Sequence, residues 1–238
     1  MTSADTFISA TNSIYEECQQ GISTLSRIVV ATPTALSGDA RTALIPALYA
    51  YWERFFKMVF AEYLRSITLE SLTVSQASET LVRLRIRRAA LDFEKKRAKG
   101  RLLLAIDSDV LGAARTELGD LLQEMGALDA LYTSPLTFAD PEVWIDTESN
   151  VRFKVLEKNC KLLGLDSKVL TDLLQSSGHQ LYTKLEDLVN TRNKIAHGAV
   201  IHPTDSARWN ALHVFVSHLM HAVQFFLYEN LEQNEHLA

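Results

Sequence analysis

The stretch Leu188-Val189-Asn190-Thr191-Arg192-Asn193-Lys194-Ile195-Ala196-His197-Gly198 closes a helix that also carries Leu181 and Leu185. Its apolar residues return every three or four positions, which places them on one face. Gly198 stops the helix and Pro203 keeps it stopped. The polar residues of the stretch sit near that end. Asn193 and His197 are four apart, so they share a face and the amide can reach the imidazole. Arg192 lies one residue off that line, and its long side chain can bring a planar, permanently charged fork to the same groove. A guanidinium, an amide and an imidazole that titrates near neutrality together suit a phosphodiester. The same residues also suit a structural role. A His before a stop glycine can cap the last carbonyls, and Arg192 can be an ordinary surface charge.

Outward from this stretch the period stays helical. Phe7, Thr11, Ile14, Cys18, Ile22, Leu25 and Val29 form one stripe on a helix of about 25 residues. Pro33, Ser37 and Gly38 end it, and Asp39 suits the cap of the next helix. That helix presents Leu44, Leu48, Tyr51, Trp52, Phe55, Val59 and Tyr63, with Pro46 expected in its first turn. Thr68 to Ser75 reads as a connector, Gln76 to Arg101 as a basic helix and Leu111 to Met125 as a shorter one. Tyr132 to Glu148, with Pro135 and Pro141, is the longest loop, which Trp144 and Ile145 can tuck onto the core. Asn150 is expected to cap a helix ending at Gly164, Asp166 or Ser167 to open a short one, and Thr204 or Asp205 to open the last.

Composition agrees with long elements and few turns. The chain has 238 residues, yet only nine glycines and five prolines, about half the usual share of these turn formers. A β-sandwich needs many tight turns and is excluded on that ground. Two cysteines, Cys18 and Cys160, cannot build a disulfide framework or a cysteine-based zinc site, and they fit a reducing cytoplasm. No basic flank with an apolar run opens the chain, so no secretory signal is expected. Val214 to Leu227 is interrupted by Ser217, His218, His221 and Gln224, so no membrane span is expected either. A net charge of −5 gives no global attraction to nucleic acid. The attraction must be local, and nine of the 24 basic residues lie between Arg83 and Arg101, including Arg87, Arg88, Lys95 and Lys96. Such a cluster can neutralise phosphates, or can be a solvated helix face. The expected architecture is one all-α domain over residues 1–238, with a helical insertion at about 70–130.

Arg192-Asn193-Lys194-Ile195-Ala196-His197 resembles the Arg-polar-x-x-x-His motif of HEPN domains, within an all-α chain where one long helix follows. Leu48 to Lys57, containing Tyr49-x-x-Trp52-Glu53, resembles the corresponding region of the MAE-like bacterial HEPN nucleases, as does Asn150 to Asp166. These patches span about Leu44 to His197. The resemblance implies a HEPN-like helical bundle and metal-independent cleavage of RNA, without a cofactor, leaving a 2′,3′-cyclic phosphate and a 5′-hydroxyl. In that scheme His197 is the acid–base group, Arg192 stabilises the phosphorane, Asn193 orients His197 or binds phosphate, and Glu53 is a secondary candidate beside Arg192. A base and an acid are both needed and one chain has one motif histidine, so a homodimer sharing a cleft is expected. A toxin or antiphage role, with a cognate inhibitor protein, is implied as well. The alternative is a non-catalytic helical module of the same fold. One departure is clear. Some HEPN toxins carry a modifiable tyrosine two residues after the histidine, and Ala199 stands there. His213, His218 and His221 lie on the last helix, but no carboxylate or cysteine completes a metal set at recognisable spacing.

Overall fold

In a computed structural model, residues 2–85, 135–138, 140–148, 150–199, 202–234, 236 and 237 are described. Their regular structure is helical, with isolated bridges but no strand among them. The helices are α1 (Ser3–Ala31), α2 (Ser37–Leu69), α3 (Phe153–Leu163), α4 (Ser167–Ser176), α5 (Leu181–Ala196) and α6 (Ser206–Glu232). A further helical segment is described from 79 to 85. The shorter helix expected at Leu111 to Met125 and most of the expected insertion lie outside the described residues.

Helix α2 is the axle of the bundle. It packs against α1, α5 and α6, and Trp52, Phe55, Phe56, Val59, Phe60, Tyr63 and Leu64 on it are fully buried. Trp52, Phe56 and Phe60 pack ring against tilted ring in succession, with centroids 5.6 and 4.5 Å apart. Residues buried almost all round identify a central helix rather than an amphipathic surface one.

Two expected helix starts are corrected. Helix α2 begins at Ser37, so Pro46 lies inside it and Asp39 lies in its first turn instead of capping it. Helix α3 begins at Phe153 with Arg152 as its cap, because Asn150 turns its side chain to Arg192. Helix α6 opens after Asp205 as expected. It is the one described helix long and apolar enough to cross a membrane by length and composition, and 56% of that window is buried inside the bundle. Two of its polar interruptions hydrogen-bond to α1. Gln224 donates to Thr11 Oγ1 and Asn12 Oδ1, both at 2.9 Å, and Ser217 donates to Gln19 at 3.1 Å. These bonds satisfy groups that are costly to bury alone.

Other stops and caps follow the sequence. Gly164 ends α3 at φ +79°, where a side chain would be strained. Asp166 and Asp205 cap α4 and α6 by accepting from Lys168 N and Arg208 N. The loop before α3 is tied down as expected. Ile145 is buried and Trp144 stands edge-on to Phe138 at 5.2 Å.

Helices α1 and α2 approach closely at Gly21, where an added Cβ would lie 2.2 Å from the Tyr51 ring. Gly21→Ala should therefore destabilise the chain by up to about 2 kcal/mol, because overpacking of ~1–3 kcal/mol exceeds the ~1 kcal/mol gain in helix propensity. Urea denaturation would measure this. In a double-mutant cycle with Tyr51→Leu, the cost of the alanine should shrink; an unchanged cost would refute the clash.

Candidate active site

The site grows from a clamp between α2 and the segment that leads into α3. Val151 is fully buried in an extended stretch without ladder partners. Its N–H donates to the Tyr49 hydroxyl at 2.6 Å, and its carbonyl accepts from Trp52 Nε1 at 3.3 Å. Two side chains on α2 thus satisfy both backbone groups of one buried residue. Tyr49 and Trp52 are three apart, so both reach the same side of their helix.

Fixing Val151 places its neighbours. Asn150 Oδ1 accepts from Arg192 Nη1 at 3.3 Å, and the same Nη1 donates to Asn193 Oδ1 at 2.9 Å. The Arg192 guanidinium carbon lies 5.3 Å from the centre of the Tyr49 ring, a cation–π geometry. Both hydrogen bonds leave from Nη1, so Nε and Nη2 make none to any described residue. The half-buried guanidinium is thus held through Nη1, and its other nitrogens have no hydrogen-bond partner among the described residues. On the other side of Val151, Arg152 Nη1 donates to Glu186 Oε2 at 2.5 Å and Asn190 Oδ1 at 2.9 Å, both on α5.

Glu53 stands one turn beyond Tyr49 on α2 and is half-buried. Burial pushes its carboxyl upward, and the positive charge of Arg192 pulls it partly back. It makes no ion pair with Arg192 among the described residues, so Arg192 is not neutralised by contact. Burial also pushes the Tyr49 hydroxyl up to about 12, which keeps it an uncharged acceptor for Val151.

His197 is the C-cap of α5 and is exposed, with its backbone N–H donating to Asn193 O at 3.0 Å. Gly198 follows at φ +71°. The helix places Asn193 and His197 one turn apart, as the spacing requires, but the Asn193 amide oxygen serves Arg192. The structure therefore brings Arg192, Asn193, Tyr49 and Glu53 together and leaves the His197 ring at the solvent-facing helix end. Asn150, expected only as a helix cap, and Arg152, Glu186 and Asn190, given no site role in the sequence, join the cluster. Glu186 and Asn190 were visible as the turns of α5 preceding Asn193; nothing local shows that Asn150 and Arg152 reach α5. Arg83 is exposed and paired with Glu79 at 2.6 Å. Arg87, Arg88, Lys95 and Lys96 lie outside the described residues. Of the last-helix histidines, His218 Nδ1 lies 2.8 Å from His179 Nε2, and His221 stands edge-on to Tyr15. No group of three or more His, Cys, Asp or Glu among the described residues is placed to hold a metal ion.

Two stability experiments probe the cluster. Tyr49→Phe strands the buried Val151 N–H and should cost about 1–3 kcal/mol, read by urea denaturation; a cost below about 0.5 kcal/mol would remove the clamp. Glu53 has a raised folded pKa, so its contribution is full below the unfolded value and is lost as pH rises through the folded one. Glu53→Gln should therefore gain more stability relative to the parent at pH 7 than at pH 4, and an equal difference at both would contradict the burial argument.

A family model described as RiboL-PSP-HEPN matches residues 12–224, a span that contains every residue of this cluster. No curated protein and no solved structure matches the chain.

Proposed function

The chain belongs to the RiboL-PSP-HEPN family, and from that premise we propose that it is an endoribonuclease that cuts RNA without a metal ion. The observation that carries this reading is the half-held guanidinium of Arg192, with a histidine at the end of the same helix. Asn193, Asn150 and the Tyr49 ring fix the cation, and its free edge faces no described hydrogen-bond partner. A preorganised donor of that kind stabilises charge that develops on a pentacoordinate phosphorane.

The reaction is attack of a ribose 2′-hydroxyl on the adjacent phosphorus, with departure of the 5′-oxygen. His197 takes or gives the proton, and its exposure at the helix end lets substrate reach it. Asn193 holds Arg192 rather than the imidazole. Glu53, whose carboxyl burial pushes upward and Arg192 pulls partly back, makes no ion pair with the guanidinium among the described residues. A second histidine comes from a second copy of the chain, so the working form is a homodimer with two motif helices at one cleft. The likeness of Tyr49-x-x-Trp52-Glu53 to MAE-like bacterial HEPN nucleases supports the same reading. The cytoplasm, where both buried cysteines stay free, is the proposed compartment. A toxin or antiphage effector, restrained by an inhibitor protein, is the proposed role. The basic run that begins at Arg83 is a companion RNA-docking surface.

Total RNA incubated with the purified protein in EDTA should be cleaved to 2′,3′-cyclic phosphate ends. Arg192→Ala and His197→Ala should each lower the rate by about a hundredfold or more. Intact RNA at high protein concentration would favour the non-catalytic module, with Arg192 serving as a structural clamp. Loss of cleavage in EDTA alone would point to a metal-dependent hydrolase. Sedimentation velocity at micromolar concentration should show a dimer, and an active monomer would refute the shared cleft.

A further inference from the structure

We propose that the exposed face of α5 extends the cleavage site as a docking track for single-stranded RNA, in which Arg152 receives a backbone phosphate and Tyr182 stacks a base. The proposal rests on the nuclease reading for the chemistry at one end of the track, but its binding claim can be tested separately.

Tyr182, Glu186, Asn190, Asn193 and His197 recur at steps of three and four and therefore share one face of α5. The segment from Asn150 to Phe153 runs antiparallel along that face. Asn150 meets Arg192, Arg152 meets Asn190 and Glu186, and the Phe153 ring meets Tyr182. The result is a seam about 15 Å long from Tyr182 to Arg192, at 1.5 Å per residue. It carries two guanidiniums and an aromatic ring in order.

Each group is shaped for its part. The Arg152 side chain is 33% exposed, and both of its bonds leave from Nη1. Glu186 offsets part of its charge, so a phosphate has to approach the Nε and Nη2 side. Tyr182 is 58% exposed, yet its ring is braced edge-on by Phe153 at 5.5 Å and 83°. A braced ring loses little freedom when a base stacks on it, and every base presents a π-face. Alternating phosphate and base contacts along one line match a single strand, whereas a duplex keeps its bases inside the stack.

The test uses an all-2′-O-methyl octanucleotide, which lacks the attacking hydroxyl, together with cleavable RNAs of two and eight nucleotides. Tyr182→Ala should raise Kd for the octanucleotide about tenfold, and Tyr182→Phe should stay within about twofold of the parent. On the cleavable octamer the loss in Tyr182→Ala should fall on KM with kcat kept, and cleavage of the dinucleotide should not change. Arg152→Gln should reduce the slope of log Kd against log salt by about 0.7, the value for one phosphate contact on a single strand. Tyr182→Ala binding and cleaving the octamer like the parent would overturn the track while leaving the nuclease intact. A parent that binds the octanucleotide through Tyr182 but cuts no RNA would uphold the track and overturn the nuclease. A parent that binds no octanucleotide would overturn the track outright.

Discussion

The geometry of the site depends on how one buried residue satisfies its backbone. Val151 lies in an extended segment that crosses the bundle without a neighbouring strand. A buried N–H or C=O without a partner is costly, and Tyr49 and Trp52 of α2 supply both partners. Because those side chains sit on the most deeply packed helix, the segment cannot shift without disturbing the core. Asn150 and Arg152 flank Val151 and are carried to neighbouring turns of α5. The guanidinium of Arg192 is therefore aimed by a constraint that originates on another helix.

The clamp gives a physical reason for the Tyr-x-x-Trp-Glu pattern. Tyr49 and Trp52 hold Val151, the Tyr49 ring also lies beneath Arg192, and Glu53 adds a carboxylate one turn on. Each half of the site reads as structural when taken separately. A Tyr and a Trp three apart on an apolar helix look like core, and an Arg near a helix end looks like surface. Their roles join only because one extended segment touches both helices. Asn193 shows the same effect from the other direction. Helical spacing allows it to reach His197, and the competition is won by the adjacent cation, whose charge makes the better donor.

Much of the fold was legible because helices announce themselves locally. The stripe from Phe7 to Val29, the stop at Gly164, the cap at Asp166 and the end of α5 at Gly198 all follow from period and capping chemistry within a turn or two. The errors lie where distant contacts override local preference. Pro46 sits inside α2 instead of opening it, since the helix continues to Ser37, and the segment around Gly38 and Thr42 packs against Thr204. Asn150 is a good cap by composition, but its side-chain oxygen is taken by a residue 42 positions away.

Sequence alone was enough for the all-α class, for the helical line joining Asn193 to His197 and for the Arg192–His197 spacing, since each depends on the local 3.6-residue period. The tertiary structure alone decided what Arg192 touches, which residue pairs with Asn193 and that Arg152 and Tyr182 lie along the same seam. Those relations depend on where an extended segment crosses two helices, and no local periodicity encodes a crossing.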